Sequence, residues 1–241
     1  MRIVSLVPSI TETLFDFGLN ETEIVGRTKF CIHPEKRVKN VETVGGTKNL
    51  NIQKIKALQP DLIIANKEEN EKAQIEELQQ EFKVWVTNIE SLDDNRKFLL
   101  DLGTVLNKTD LAKNFADRID ECFPKNRIKL KAAYLIWQNP FMTVGNDTFI
   151  NEIMEKSGFG NIFGNRKRYP EINIDDLEPA EVILLSTEPF PFKEKHAEEF
   201  RNIFPGKKVI LVDGEAFSWY GTHLSRRKNY FETLRREVSP K

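Results

Sequence analysis

The chain has 241 residues, with 36 basic and 37 acidic side chains and a net charge of −1. That balance gives no support for binding through nucleic-acid phosphates, and no apolar run approaches the roughly 18 residues of a membrane span. The length suffices for one large domain or two small lobes with real cores. In chain order, a strand from Ile3 to Val7 leads into Pro8-Ser9-Ile10-Thr11-Glu12, where Ser9 and Glu12 have capping-box spacing. Ile10, Leu14 and Phe17 share a helical face that Gly18 ends. A strand over Glu23 to Thr28 opens into the aperiodic loop Lys29-Phe30-Cys31-Ile32-His33-Pro34. A turn at Val44 to Thr47, a short helix, a strand near Leu62, a helix at Lys72 to Glu81 and a strand at Lys83 to Thr87 follow.

From Ser91 to about Ile119 the pattern is almost wholly helical, with apolar residues at Leu99, Leu102, Leu106, Leu111, Phe115 and Ile119. It reads as a stiff connection, or as two consecutive helices given Asn107-Lys-Thr-Asp110 midway. A strand at Lys131 to Trp137, the loop Gln138 to Gly145 and a helix at Phe149 to Lys156 come next. Gly158-Phe-Gly160 reads as a helix stop plus a turn, and Asn165 to Pro170 as a polar loop. After Pro189-Phe190-Pro191-Phe192 come a helix near His196 to Ile203 and a strand at Lys208 to Val212. Asp213 to His223 is a loop dense in aromatics, and Ser225 is expected to cap a last helix. Cys31 and Cys122 are expected to be two buried thiols rather than a disulfide.

Two stretches repeat one plan. Ile55 to Glu68 contains Leu58-Gln-Pro60 and then Leu62-Ile-Ile-Ala; Ile174 to Glu188 contains Leu177-Glu-Pro179 and then Val182-Ile-Leu-Leu. Each reads as a short helix, a proline stop, a continuous apolar strand and a loop ending in glutamate. An unbroken apolar strand fits a parallel sheet covered on both faces. The fold class is therefore α/β, built from two similar lobes. Ligands of such sheets bind beyond the carboxyl ends of the strands, where the repeat places Glu68, Glu69 and Glu188. Matched exposed carboxylates would make a two-point dock for a basic partner.

No nucleophile elbow, P-loop or dinucleotide fingerprint is present, so no enzyme is expected. Aromatics gather in loops after strands instead: Phe30 and Trp85 in the first half, and Trp137, Phe141, Phe190, Phe192, Phe217, Trp219 and Tyr220 in the second. Such loops suit a large flat or greasy ligand, although about half of these rings are expected to be structural. His33 and His223 lie in post-strand loops. They could ligate a transition metal or an axial position of a metal chelate, or simply donate hydrogen bonds.

The opening strand with Pro8-Ser9-x-Thr11-Glu12, then Val25-Gly26-Arg27, Val44-Gly45-Gly46 and Leu58-x-Pro60-Asp61-Leu62-Ile63, resembles the helical-backbone (class III) solute-binding proteins of ABC importers. The resemblance is nearest to vitamin B12-binding and ferric-siderophore- or haem-binding members. It implies two pseudo-symmetric α/β lobes joined by a long connecting helix, with a ligand cleft between the lobes. The matching boundaries here are an N-terminal lobe at 1–90, a connector at 91–121 and a C-terminal lobe at 122–241. The resemblance further implies ligand contacts from Pro8, Ser9 and Thr11, from Phe30 to His33 with Cys31, from Trp85, and from Phe217 to Tyr220. It also implies glutamates that meet arginines of a membrane permease, which here are Glu68 or Glu69 and Glu188. The implied ligand is a metal chelate, a corrinoid first and a ferric siderophore or haem next, with no intrinsic cofactor. A monomer in the periplasm or cell envelope is expected. The first strand starts too near Met1 to hold a signal peptide itself, so either an export signal lies outside this chain or the chain is a cytoplasmic protein reusing the fold; a bare transition-metal receptor built on His33 and His223 is another alternative.

Overall fold

The computed structural model describes residues 1–123 and 129–238. The chain forms two compact units. The first comprises residues 1–89, 93–118 and 220–223; the second comprises 90–92, 119–219 and 224–241.

The sheet of the first unit contains β1 (Ile3–Ser5), β2 (Ile24–Arg27), β3 (Leu62–Asn66) and β4 (Val84–Thr87), all parallel, in the order β2-β1-β3-β4. Its helices are α1 (Pro8–Asp16), α2 (Glu35–Val38), α3 (Ile52–Ala57), α4 (Lys72–Gln79) and the bodies of α5 (Leu92–Val105) and α6 (Thr109–Asp120). Every residue of β3 is buried, as a central parallel strand requires. Ile55, Leu50, Ile75 and Leu78 pack with Val4, Leu6 and Ile63 in one apolar cluster.

The sheet of the second unit contains β5 (Leu130–Leu135), β7 (Phe159–Asn161), β9 (Val182–Ser186) and β10 (Lys208–Val212), again all parallel. A small antiparallel pair joins β6 (Phe141–Met142) to β8 (Glu171–Ile172). The helices are α7 (Phe149–Lys156), α8 (Glu194–Ile203), α9 (Gly214–Ser218) and α10 (Lys228–Val238). The main sheet runs β7-β5-β9-β10. In each unit the first strand therefore lies inside, the second beside it at one edge, and the third and fourth on its other side. The repeated segments β3 and β9 occupy equivalent positions. Strand order reverses between β1 and β3, and between β5 and β9, which is where open α/β sheets hold ligands.

Several local expectations give way to the structure. Of the two readings of the stretch after Ser91, the structure has two consecutive helices: Asn107 adopts a left-handed φ of 55° between α5 and α6, a conformation asparagine tolerates well. Residues 93–118 belong to the first unit, and the late segment Tyr220 to His223 returns to it. Ser9 does not cap α1, whose N-cap is Val7 with Pro8 inside the first turn. Proline at that position loses no helical hydrogen bond. Gly160 sits in strand β7 paired to β5, not in a turn. The second repeat's helix is a 3-10 turn, Ile174–Leu177. The aromatic loop after β10 contains α9, and Ser225 lies in a 3-10 turn ahead of α10. As expected from the sequence, Cys31 and Cys122 are both buried thiols outside any disulfide.

Candidate functional site

In the first unit, the loops beyond β1, β2, β3 and β4 carry most of the chemistry. At the β1 end, Ser9 and Thr11 are buried. The Thr11 hydroxyl lies 2.8 Å from Ser5 Oγ, 3.0 Å from the Val7 carbonyl and 3.0 Å from Cys31 Sγ. Thr28 Oγ1 approaches the same sulfur at 3.3 Å. Burial pushes the Cys31 thiol up, against the opposing bonds from Thr11 and Thr28. The sulfur thus anchors the loop after β2 from below, while Phe30 and Ile32 on either side stay 51% and 49% exposed. His33, next in line, is half-buried.

The returning segment Tyr220 to His223 is clamped to the first unit through its backbone. Asn95 Oδ1 accepts from Gly221 N at 2.6 Å, and Asn95 Nδ2 donates to Gly221 O at 3.2 Å. Thr222 N donates to Thr13 Oγ1 at 3.0 Å, and Thr222 Oγ1 donates to Asp16 Oδ2 at 2.5 Å. Gly221 has φ 80°, and a Cβ there would lie 2.0 Å from Thr13 Oγ1, so glycine alone fits. This clamp sets His223 beside Glu12, with Nδ1 to Oε2 at 2.7 Å and both residues buried. The His33 ring lies 6.4 Å from the His223 ring, tilted by 34°.

Trp85, half-buried, packs on Phe98 at 5.4 Å between centroids, and Phe98 meets Tyr220 edge-on at 6.4 Å. A surface pocket of about 150 Å³ opens beside Trp85 and Phe98, with Asp94, Lys97 and Asp101 on its rim. The Tyr220 hydroxyl is pushed well up by burial and by the negative charge of Glu69 and, more weakly, Glu68.

The Glu68–Glu69 loop is built on asparagines. Asn66 Oδ1 accepts from Glu68 N at 2.8 Å and Glu69 N at 3.2 Å. Asn70 ties this loop to the β1 end: its Oδ1 accepts from Asn66 N, and its Nδ2 donates to Leu6 O and Thr47 O, each at 3.1 Å. Both glutamates are half-buried.

In the second unit, the equivalent strand ends carry Trp137 beyond β5 and Glu188 and Phe190 beyond β9. Phe190 N donates to Ile136 O at 3.2 Å. Trp137, 40% exposed, meets Phe190 edge-on at 5.7 Å. Phe141 packs on Phe200, while Phe192, Phe217 and Trp219 are buried. Ser186 Oγ accepts from Tyr134 Oη at 3.0 Å and donates to Glu188 O at 2.6 Å. The Glu188 carboxylate accepts from Ser218 Oγ at 2.6 Å. Its pKa is raised, first by burial and then by the nearby charges of Glu215 and Asp213.

Contacts in the first unit join Thr11 to Cys31, His33 to His223, and Trp85 to Tyr220 through Phe98. In the second they join Trp137 to Phe190, while Phe141 packs on Phe200, Trp219 is buried and Glu188 is held by Ser218. Sequence reasoning missed Glu12, Thr28, Asn95 and Gly221. Glu12 was masked by its capping-box spacing; Asn95 carried no signal, because its partner lies far along the chain. Among the described residues, no group of three or more His, Cys, Asp or Glu side chains is placed to hold a metal ion. No described helix is long and apolar enough to cross a membrane.

Two parallel sheets of the same strand order, with polar and aromatic loops at their carboxyl ends, give the two-lobed α/β architecture of a binding protein. The chain belongs to the periplasmic binding protein family, whose model matches residues 3–200. It is 27% identical over 184 residues to the vitamin B12-binding protein of Vibrio vulnificus, covering 73% of this chain and 67% of that one. In fold it is similar to the periplasmic vitamin B12 binding protein BtuF of Vibrio cholerae, at a TM-score of 0.79 and 21% identity, over 98% of this chain and 96% of that one. It is likewise similar to Staphylococcus aureus IsdE complexed with haem, at a TM-score of 0.76 and 18% identity, over 99% of both chains.

Proposed function

We propose that this chain is the solute-binding component of an ABC importer, working as a periplasmic or envelope monomer. It captures a metal chelate and hands it to a membrane permease. A corrinoid is the first choice of ligand, with haem or a ferric siderophore next. Family membership supports the binding role, and the named relatives bind vitamin B12 or haem. The observation that carries the ligand class is the exposed apolar and aromatic character of strand-end loops in each unit: Phe30 and Ile32 in one, Trp137 with Phe190 in the other. Large flat apolar surfaces suit a tetrapyrrole-like ligand. A chelate is preferred to a bare ion because the described residues offer no closed donor set. Ligand contacts are assigned to the loops that carry Pro8, Ser9, Thr11, Phe30, Cys31, His33, Trp85, Tyr220 and His223 on the first unit, and Trp137, Phe141, Phe190 and Trp219 on the second, with the exposed Phe30, Ile32 and Trp137 foremost. Glu68, Glu69 and Glu188 are assigned to permease docking, where charge acts on encounter and register.

Calorimetric titration against cobalamin, cobinamide, haemin and ferric siderophores tests this reading. Saturable binding of one class of chelate is expected. Binding of zinc or manganese alone, with no heat from any chelate, would overturn it.

A further inference from the structure

We propose that Asn70 couples the chelate-binding loops of the first unit to the loop of Glu68 and Glu69, so that occupancy of the former is read at the latter. The proposal rests on the chelate and docking assignments above and adds the residue that links them. The acidic loop, residues 67–71, joins β3 to α4. Asn70 is 5% exposed. Its Oδ1 accepts from Asn66 N at 2.9 Å, and its Nδ2 donates to Leu6 O and to Thr47 O at 3.1 Å each. Oxygen and nitrogen of the amide are thus both engaged, and each partner belongs to a different element. Asn66 is the residue whose side chain accepts from the backbones of Glu68 and Glu69. Leu6 lies between β1 and the Pro8 end of α1. Thr47 closes the turn that contains Gly45 and Gly46.

That turn carries the contact onward to the loop after β2. Lys29 N donates to Gly45 O at 2.7 Å, and Val44 N donates to Arg27 O at 2.8 Å. A Cβ on Gly46 would lie 3.4 Å from Phe30 Cε2, so the exposed Phe30 ring lies against the turn. Lys48 Nζ donates to Glu68 O at 2.6 Å, a second tie from the same turn to the acidic loop. A chelate seated on Phe30 and on the β1 end makes its full contact only while the turn and Leu6 hold their places. Asn70 is hydrogen-bonded to both. Unlatching it strands a buried amide and two carbonyls, so the acidic loop has a latched state and a locally opened one that differ by named bonds. Ligand favours the latched state because only that state presents the whole surface, and such a difference is what shifts an equilibrium. Asn70 is a positioning residue here, since it acts on Glu68 and Glu69 without touching ligand or partner.

Amide hydrogen exchange of the full chain, with and without saturating haemin or aquocobinamide, tests this. In the parent, ligand should slow exchange at Phe30 to His33 and also, by about fivefold or more, at Lys67 to Glu71. Asn70→Ala should keep the ligand's protection at Phe30 to His33 and lose it at Lys67 to Glu71. Strand β3, buried throughout, reports whether the variant is folded. If Asn70→Ala opens that strand, Asn70→Asp is read instead; it keeps the acceptor for Asn66 N and, ionised, donates nothing. A residue that only braces the fold would, when replaced, speed exchange at Lys67 to Glu71 equally with and without ligand and leave the ligand's slowing intact. That result, or no slowing at Lys67 to Glu71 in a parent chain protected at Phe30 to His33, would overturn the coupling alone. A parent chain that gains no protection at either loop would overturn the chelate reading with it.

Discussion

The loops after β3 and β9 come from one repeated sequence plan, sit at equivalent places in two sheets of the same order, and hold their glutamates by different means. After β3, a buried asparagine side chain accepts from the backbone of Glu68 and Glu69, so the turn itself is fixed. After β9, a serine does the backbone work and the carboxylate itself is fastened, Glu188 to Ser218 at 2.6 Å. The approach is close: a Cβ on Gly214 would lie 2.3 Å from Glu188 Cγ. Burial accompanies it and raises the Glu188 pKa. A repeat can therefore set strand, turn and register while leaving the commitment of an acid to residues elsewhere in the chain.

The largest effect that probes this difference is expected at Asn66. Asn66→Ala removes the acceptor of two loop N–H groups and the amide that donates to Thr87. Buried polar groups left unpaired cost about 1–3 kcal/mol each, so a loss of about 3 kcal/mol is expected. Urea unfolding measures it, and a loss under about 1 kcal/mol would show that the asparagine does not hold the turn. In the second unit the sensitive position is Gly214. Gly214→Ala should cost about 2 kcal/mol by overpacking against Glu188 and Ser186. Its loss should shrink in the double variant with Glu188→Ala, which removes the clashing Cγ. Additive losses in that cycle would break the proposed contact.

The smallest effect is a pH dependence confined to the second loop. A raised carboxylate pKa means that the folded state holds its proton longer than the unfolded state. Stability attached to Glu188 is therefore full below the ordinary carboxylate range, and falls as pH rises through that range to the raised value. Glu188→Gln cannot ionise and keeps an acceptor for Ser218. It should be more stable than the parent at neutral pH by about 0.5 kcal/mol, since the group is only partly shielded from solvent, with the gap closing below about pH 4. Thermal unfolding across pH checks this; a Gln variant less stable than the parent at neutral pH would contradict the burial argument.

Much of this was legible in the sequence. The continuous apolar runs at Leu62 and Val182, each behind a proline stop, specify buried parallel strands, because only such strands hide both faces. The two glutamate loops followed from that repeat. What escaped depended on distant partners. Asn107-Lys-Thr-Asp110 leaves open a break between two helices, but the apolar spacing on either side runs on too evenly to decide it, and the left-handed turn at Asn107 does. Phe159 to Asn161 is too short for a periodic signal and becomes a strand only because β5 offers it a partner. Glu12 fits a capping box locally, but its carboxylate goes to His223, far along the chain. The buried state of Trp219 and Tyr220 was equally hidden, since an aromatic loop reads alike whether its rings face solvent or core.

The central claim is that the strand-end loops of both units handle a chelate. Amide hydrogen exchange of the full chain, with and without saturating aquocobinamide or haemin, tests it most directly. The account expects slowed exchange at Phe30 to His33 and Trp85 to Ile89 in the first unit, and at Trp137 to Phe141 and Thr187 to Phe190 in the second. Protection confined to one unit, or centred on the amino-terminal ends of the strands, would contradict it.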